Sequence, residues 1–124
     1  MLHARPLSDQ LQVAPQIQIG DIADIARLGF RSILNNRPDG EAEDQPSSAA
    51  LASAAAAHGL AYAHQPVRVS TLGATDVLRF QNLLAELPKP ILGFCRTGTR
   101  TTMLWTRAHG GPDAQPQDPP PASP

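Results

Sequence analysis

The stretch KPILGFCRTGTRTTMLW, Lys89 to Trp105, carries the sole cysteine of the chain. Ile91 to Phe94 read as a buried strand, a short apolar run between Pro90 and a polar loop. Cys95 then stands at the end of that strand. Arg96, Thr97, Gly98 and Thr99 follow as a tight turn. A helix is expected to begin near Thr99 or Arg100, with Met103, Leu104 and Trp105 toward the core. This passage from strand through polar loop to helix is an element of α/β architecture.

The rest of the chain repeats the alternation. Leu11 to Val13 is a short strand. IGDIADIARLGF places Ile22, Ile25, Ala26 and Leu28 at helical spacing, and Gly29 ends the helix. RSILNN is the next strand, and RPDGEAEDQP is a turn-rich loop. Ser47 is placed to cap the Ala-rich packing helix SAALASAAAAHG, which Gly59 ends. That helix lacks the basic face of a membrane-surface helix. LAYAHQPV is a strand weakened by Pro66. Thr75 or Ser70 is expected to cap a helix through DVLRFQNLLAEL, with Val77, Leu78, Phe80, Leu83, Leu84 and Leu87 on its apolar face. The pattern predicts an α/β three-layer sandwich around a mostly parallel central sheet of about four or five strands. Ligands of such sheets bind beyond the C-terminal strand ends, where Cys95 falls.

The chain has 124 residues, the size of one domain. Residues 1–109 are expected to form it, packed from about residue 7. Residues 110–124 form a Pro-rich tail, expected to be disordered because it holds no aliphatic side chain larger than Ala. A net charge of −1 gives no general attraction to nucleic acid or anionic membrane. No apolar run approaches the roughly 20 residues of a membrane span. MLHARPLSDQ lacks a secretory pattern. A lone cysteine suits a reducing compartment, so a cytoplasmic protein is expected. His3, His58, His64 and His109 show no ligand spacing, and neither a metal nor another cofactor is expected.

The polar loop points to anion chemistry. Amide N–H groups at a helix N-terminus form a nest for an oxyanion. Gly98 permits the turn. Arg100 can grip a tetrahedral anion with two parallel hydrogen bonds. The same field favours the thiolate form of a cysteine and so its use as a nucleophile. Thr101 is placed to donate a hydrogen bond to the departing sulfur. The alternative for Cys95 is that of a small core side chain.

GFRSILNNRPDGEAEDQPSSAAL, GLAYAHQPV and CRTGTRT together resemble the phosphatase-like domain of bacterial beta-lactamase hydrolase-like proteins, over about residues 7 to 108. That family is similar in fold to dual-specificity cysteine phosphatases. Some members are described as sulfurtransferases, and some occur with sulfide-oxidising enzymes. The resemblance implies Cys95 as nucleophile, Arg100 as the anion-binding arginine and residues 96–99 as loop backbone. Two departures stand out. Typical cysteine phosphatases place five residues between cysteine and arginine, whereas four stand here, Arg96 to Thr99. They also carry a histidine before the cysteine, where this chain has Phe94. Rhodanese-type sulfurtransferases often carry the shorter loop that CRTGTR matches, and the smaller cradle suits a persulfide.

Phosphate-ester cleavage also calls for a general acid. Asp76 and Asp39 are the candidates. Asp76 also reads as a first-turn helix acid, and Asp39 as a turn former before Gly40. Asn36 and Arg37 close a strand and are expected to line the same crevice, with pairing of Arg37 to Glu41 as the structural alternative. Arg96 either strengthens the local positive field or points to solvent. His58 ends a helix, and His64 lies near a strand end in a structural role.

Three functions follow as expectations. The first is a cysteine-dependent hydrolase of phosphate monoesters. The second is a sulfurtransferase, with Cys95 passing sulfur from a donor such as thiosulfate or glutathione persulfide to an acceptor that includes protein thiols. The third is a non-catalytic anion-binding or redox-sensing module. Each takes a small anionic ligand.

Overall fold

The computed structural model describes residues 2–110; the expected tail, residues 110–124, lies outside the described residues apart from Gly110. The strands are β1 (Arg5–Pro6), β2 (Leu11–Ala14), β3 (Ser32–Asn35), β4 (Ala61–His64) and β5 (Ile91–Phe94). The helices are α1 (Ile22–Arg27), α2 (Ser48–Ala57), α3 (Ala74–Glu86) and α4 (Thr99–Ala108). Short 3-10 turns at Ile19–Asp21 and Val69–Thr71 precede α1 and α3.

The five strands form one sheet in the order β1-β2-β5-β3-β4. All pairings are parallel except β1 with β2. The sheet is thus the expected mostly parallel one, with two layers of helix around it. Alternation along β3 and β5 divides the core. Ile33, Leu92 and Phe94 pack with Ile22 and Ile25 of α1 and Leu51 and Ala55 of α2. Leu34 and Ile91 pack on the other face with Phe80 of α3 and Leu104 of α4. A strand clothed by helices on both faces has no polar alternation, which is why β3 and β5 are buried throughout.

Local signals fix several boundaries. Ser47 Oγ accepts the Ala50 N–H at 3.1 Å and caps α2. Gly59, at φ +74°, turns the chain out of α2. Other details differ from expectation. Neither Thr75 nor Ser70 caps α3: Gly73 stands at the cap, and Asp76 Oδ2 reaches back to its N–H at 3.0 Å. Leu78 is exposed, because it lies off the face of α3 that buries Phe80 and packs on α4. Met103 is only partly buried and lines a surface cleft with Arg5, Thr99, Thr102 and Thr106. β1 is two residues long, too short to leave a periodic signal in the sequence.

Candidate active site

Sheet register brings the site together. Ala14, Phe94, Asn35 and His64 pair in one row across four strands. The residues that follow each of them, Pro15, Cys95, Asn36 and Gln65, therefore leave the sheet along one edge. That edge is the C-terminal one, where α/β sheets hold ligands. Backbone bonds tie these exits together: Asn36 N–H donates to Phe94 O at 2.8 Å, and Gln16 N–H to Arg96 O at 3.1 Å.

The turn from β5 into α4 wraps around its own cysteine. Gly98 N–H donates to Cys95 Sγ at 3.1 Å. Gly98 has φ +92°, a left-handed conformation that calls for glycine. Cys95 is nearly enclosed at 1 % exposure, and its sulfur accepts the Gly98 amide. The N–H groups of Arg96, Thr97, Thr99, Arg100 and Thr101 have no acceptor among the described residues. The last three belong to the first turn of α4, where no intrahelical acceptor exists. Six consecutive amides thus follow the thiol along the chain, one bonded to its sulfur and five without an acceptor among the described residues.

Arg100 lies in the first turn of α4, and its guanidinium is held in place by other elements. Nη1 donates to Glu41 Oε2 at 3.0 Å and to Val67 O at 3.1 Å, and Nη2 to Glu41 Oε1 at 2.9 Å. Of its five donors, Nε–H and the second Nη2–H have no acceptor among the described residues. They share one edge of the planar group, the edge that grips an oxyanion in a side-on pair. The hydrogen bond to Glu41 raises the Arg100 pKa against the opposing effect of burial, and the charges of Glu41 and Cys95 add to the rise. Glu41 moves the other way: its hydrogen bond from Arg100 lowers it from 4.5, burial opposes, and Arg37 assists.

The structure separates the remaining expected residues. Arg37 is buried, and Nε donates to Glu41 Oε1 at 3.0 Å, so the structural pairing is formed. Asn36 and Thr101 do not line an open crevice. Both are fully buried, and Thr101 Oγ1 donates to Asn36 Oδ1 at 2.8 Å. The expected Thr101 hydrogen bond to the cysteine sulfur is corrected accordingly: a hydroxyl has one proton, and Asn36 takes it. Arg96 is exposed, and Thr97 and Thr99 share a 2.9 Å hydroxyl contact. Asp76 caps α3, as described above. Asp39 Oδ1 accepts the Ser48 N–H at 2.8 Å, at the start of α2. Neither carboxylate bonds to the Cys95 loop.

Sequence reasoning missed Glu41 as the partner of Arg100, because 59 positions separate them and no local pattern couples a loop acid to a distant helix. It also missed Gln16, whose Oε1 accepts from Arg37 Nη1 at 2.9 Å. His64 Nε2 sits 2.8 Å from Arg37 O, which can only accept, so this nitrogen carries the proton. Tyr62 steadies the same loop through Asn35 Nδ2 and Ser48 Oγ, each at 2.9 Å, and burial raises its pKa. Among the described residues no three His, Cys, Asp or Glu side chains gather as metal ligands. No helix among them is long and apolar enough to cross a membrane.

A parallel sheet with a cysteine loop between its central strand and a helix is a cysteine-phosphatase-like fold. Comparison with known proteins agrees. Residues 3–111 match the family model described as beta-lactamase hydrolase-like protein, phosphatase-like domain, and the chain belongs to that family. It is 37 % identical over 99 residues to the beta-lactamase hydrolase-like protein of Agrobacterium fabrum, covering 80 % of this chain and 23 % of that one. The chain thus spans about a quarter of the length of that curated relative. Among solved structures, a candidate phosphatase from Neisseria meningitidis Z2491 superposes with TM-score 0.79 at 37 % identity, over 86 % of this chain and 78 % of that one. A Cys-to-Ser variant of Pseudomonas aeruginosa TpbA in complex with phosphotyrosine shares the fold, with TM-score 0.61 at 15 % identity, over 84 % of this chain and 60 % of that one.

Proposed function

We propose that the protein is a cysteine-dependent hydrolase of phosphate monoesters. The observation that carries this reading is the run of six loop amides after Cys95, one bonded to its sulfur and five without an acceptor among the described residues, together with the unpaired edge of Arg100, which feels the charge of Cys95. A tetrahedral dianion needs such an array, because each equatorial oxygen then finds a fixed donor without reorganisation. The Cys95 thiolate attacks phosphorus and forms an S–P bond as the ester P–O bond breaks. The leaving oxygen takes the electron pair and, for a weakly acidic alcohol, a proton from water. Arg100 and the amides stabilise the charge on the equatorial oxygens. Water then attacks phosphorus, breaks the S–P bond, and releases inorganic phosphate and the thiolate. The phosphotyrosine bound by TpbA is a ligand of the chemical type this reading requires. A free thiol nucleophile needs a reducing compartment, so the reading is of a cytoplasmic enzyme.

A second reading, sulfur transfer, draws on one observation. Glu41 is the carboxylate that bonds to Arg100, and two guanidiniums hold its pKa low. It is therefore ionised at neutral pH and cannot supply the leaving-group proton. Transfer of sulfane sulfur to Cys95 needs no such acid, and neither do esters of acidic phenols.

The test is to follow phosphate release from an aryl phosphate, and thiocyanate formation from thiosulfate and cyanide, with the wild type and Cys95→Ser. Phosphate release that disappears in Cys95→Ser supports hydrolysis. Thiocyanate without phosphate release moves the assignment to sulfur transfer. Silence in both assays overturns both readings.

A further inference from the structure

Arg37 has more donors than the fold uses. Its side chain is 4 % exposed, and it is held at two points: Nε by Glu41 and Nη1 by Gln16. Nη2, at the tip, carries two hydrogens with no acceptor among the described residues. It is also absent from the fully enclosed, unpaired atoms, so the tip reaches accessible space. Both anchors lead to the cysteine loop. The Gln16 backbone bonds to Arg96, and Glu41 clasps Arg100. The guanidinium is therefore linked through Gln16 to the first residue after Cys95, and through Glu41 to the arginine that closes the loop.

The charge balance points the same way. Two guanidiniums share the one Glu41 carboxylate, so this cluster of three carries one unit of uncompensated positive charge (two cations less one anion). Burying such a charge is unfavourable unless an anion meets it. A cation with two anchored donors and an idle tip is suited to a ligand that arrives from outside.

We propose that Arg37 and Arg100, locked side by side through Glu41, form a two-arginine clamp for a small tetrahedral dianion above Cys95. The proposal rests on the reading of the Cys95 loop as an anion cradle, and it adds the ligand's charge and the second arginine. A phosphoryl group and an inorganic oxyanion share the chemistry that such a clamp recognises, so both are used as probes.

The test is protection of Cys95 from iodoacetamide, a neutral alkylating agent, by sulfate, inorganic phosphate or nitrate at matched ionic strength. In the wild type, sulfate and phosphate are expected to half-protect at concentrations about tenfold or more below that of nitrate, since the clamp favours a dianion. Arg37→Met is expected to raise the half-protecting sulfate concentration about tenfold. Arg37→Lys is expected to do nearly the same, because the three donors of an ammonium sit on one nitrogen and cannot occupy the separate positions from which Nε, Nη1 and Nη2 reach Glu41, Gln16 and a ligand. Its retained charge guards against misfolding of the Met variant, and thermal melting reports the fold of both. Equal sulfate and nitrate protection in the wild type overturns the clamp. So does unchanged sulfate protection in a folded Arg37 variant. Absence of protection by any anion overturns the cradle itself, and the clamp with it.

Discussion

Glu41 and Arg100 meet in a two-point ion pair, with Nη2–Oε1 at 2.9 Å and Nη1–Oε2 at 3.0 Å, although 59 positions separate them. The pair joins the loop after β3 to the first turn of α4. It takes one edge of the guanidinium and leaves the edge with Nε open. The orientation of Arg100 is therefore set by Glu41 and by Val67 O, before any ligand binds.

Removing the carboxylate should loosen that orientation. Glu41→Gln is expected to lower turnover of an aryl phosphate about tenfold or more, with a smaller change in KM. Steady-state kinetics checks the split, and unchanged turnover would show that Arg100 needs no partner.

The same pair has a pH signature. The Glu41 pKa is lowered from 4.5 in the folded state, chiefly by its hydrogen bond from Arg100. A depressed carboxyl contributes stability above its unfolded pKa and loses it as pH falls through its folded pKa. The urea midpoint of the wild type should exceed that of Glu41→Gln at pH 6, and the gap should close below about pH 4. A gap that persists unchanged to lower pH would contradict this.

Gly98 supports the run of amides by its backbone alone. Gly98→Ala forces an L side chain into the left-handed region at φ +92°. A loss of about 1–2 kcal/mol is expected from the conformational cost, together with loss of anion protection at Cys95. Denaturant unfolding and the alkylation assay measure the two effects.

The buried Thr101–Asn36 bond ties α4 to the end of β3. Thr101→Val leaves Asn36 Oδ1 without that donor in the interior, at a cost of about 1–3 kcal/mol. Gly93→Ala should strain the same place, because its Cβ would lie 2.9 Å from Thr101 Cγ2. Urea unfolding that places either variant level with the wild type would argue against the pair as a support of the site.

Asp76 holds the α3 cap at Gly73. Asp76→Ala is expected to cost about 1 kcal/mol of stability while sparing turnover of an alkyl phosphate, whose leaving oxygen must be protonated. Collapse of turnover without loss of stability would make it the general acid instead.

The legible part of the molecule was local. Ile91 to Phe94 announced a buried strand by an unbroken apolar run, and Gly98 announced the turn because only glycine enters that region freely. Ser47 and Gly59 marked the ends of α2 through caps that operate within a few residues. Glu41 was legible as a partner of Arg37, four positions away, but not of Arg100; Gln16 and Val67 gave no sign, since their contacts to Arg37 and Arg100 exist only after the sheet has brought three loops to one edge. Thr101 misled for a related reason. Its position in the loop suggested the sulfur, but the closeness of Asn36 depends on the β3–β5 register.

The central claim is that Cys95 forms a covalent bond to phosphorus. The direct measurement is to mix the protein with excess aryl phosphate, quench in acid within one turnover, and map the phosphoryl mass to a peptide. The account predicts that mass on the peptide containing Cys95, and no trapped adduct in Cys95→Ser. Continued phosphate release by Cys95→Ser at the wild-type rate, with no adduct on either protein, would contradict it.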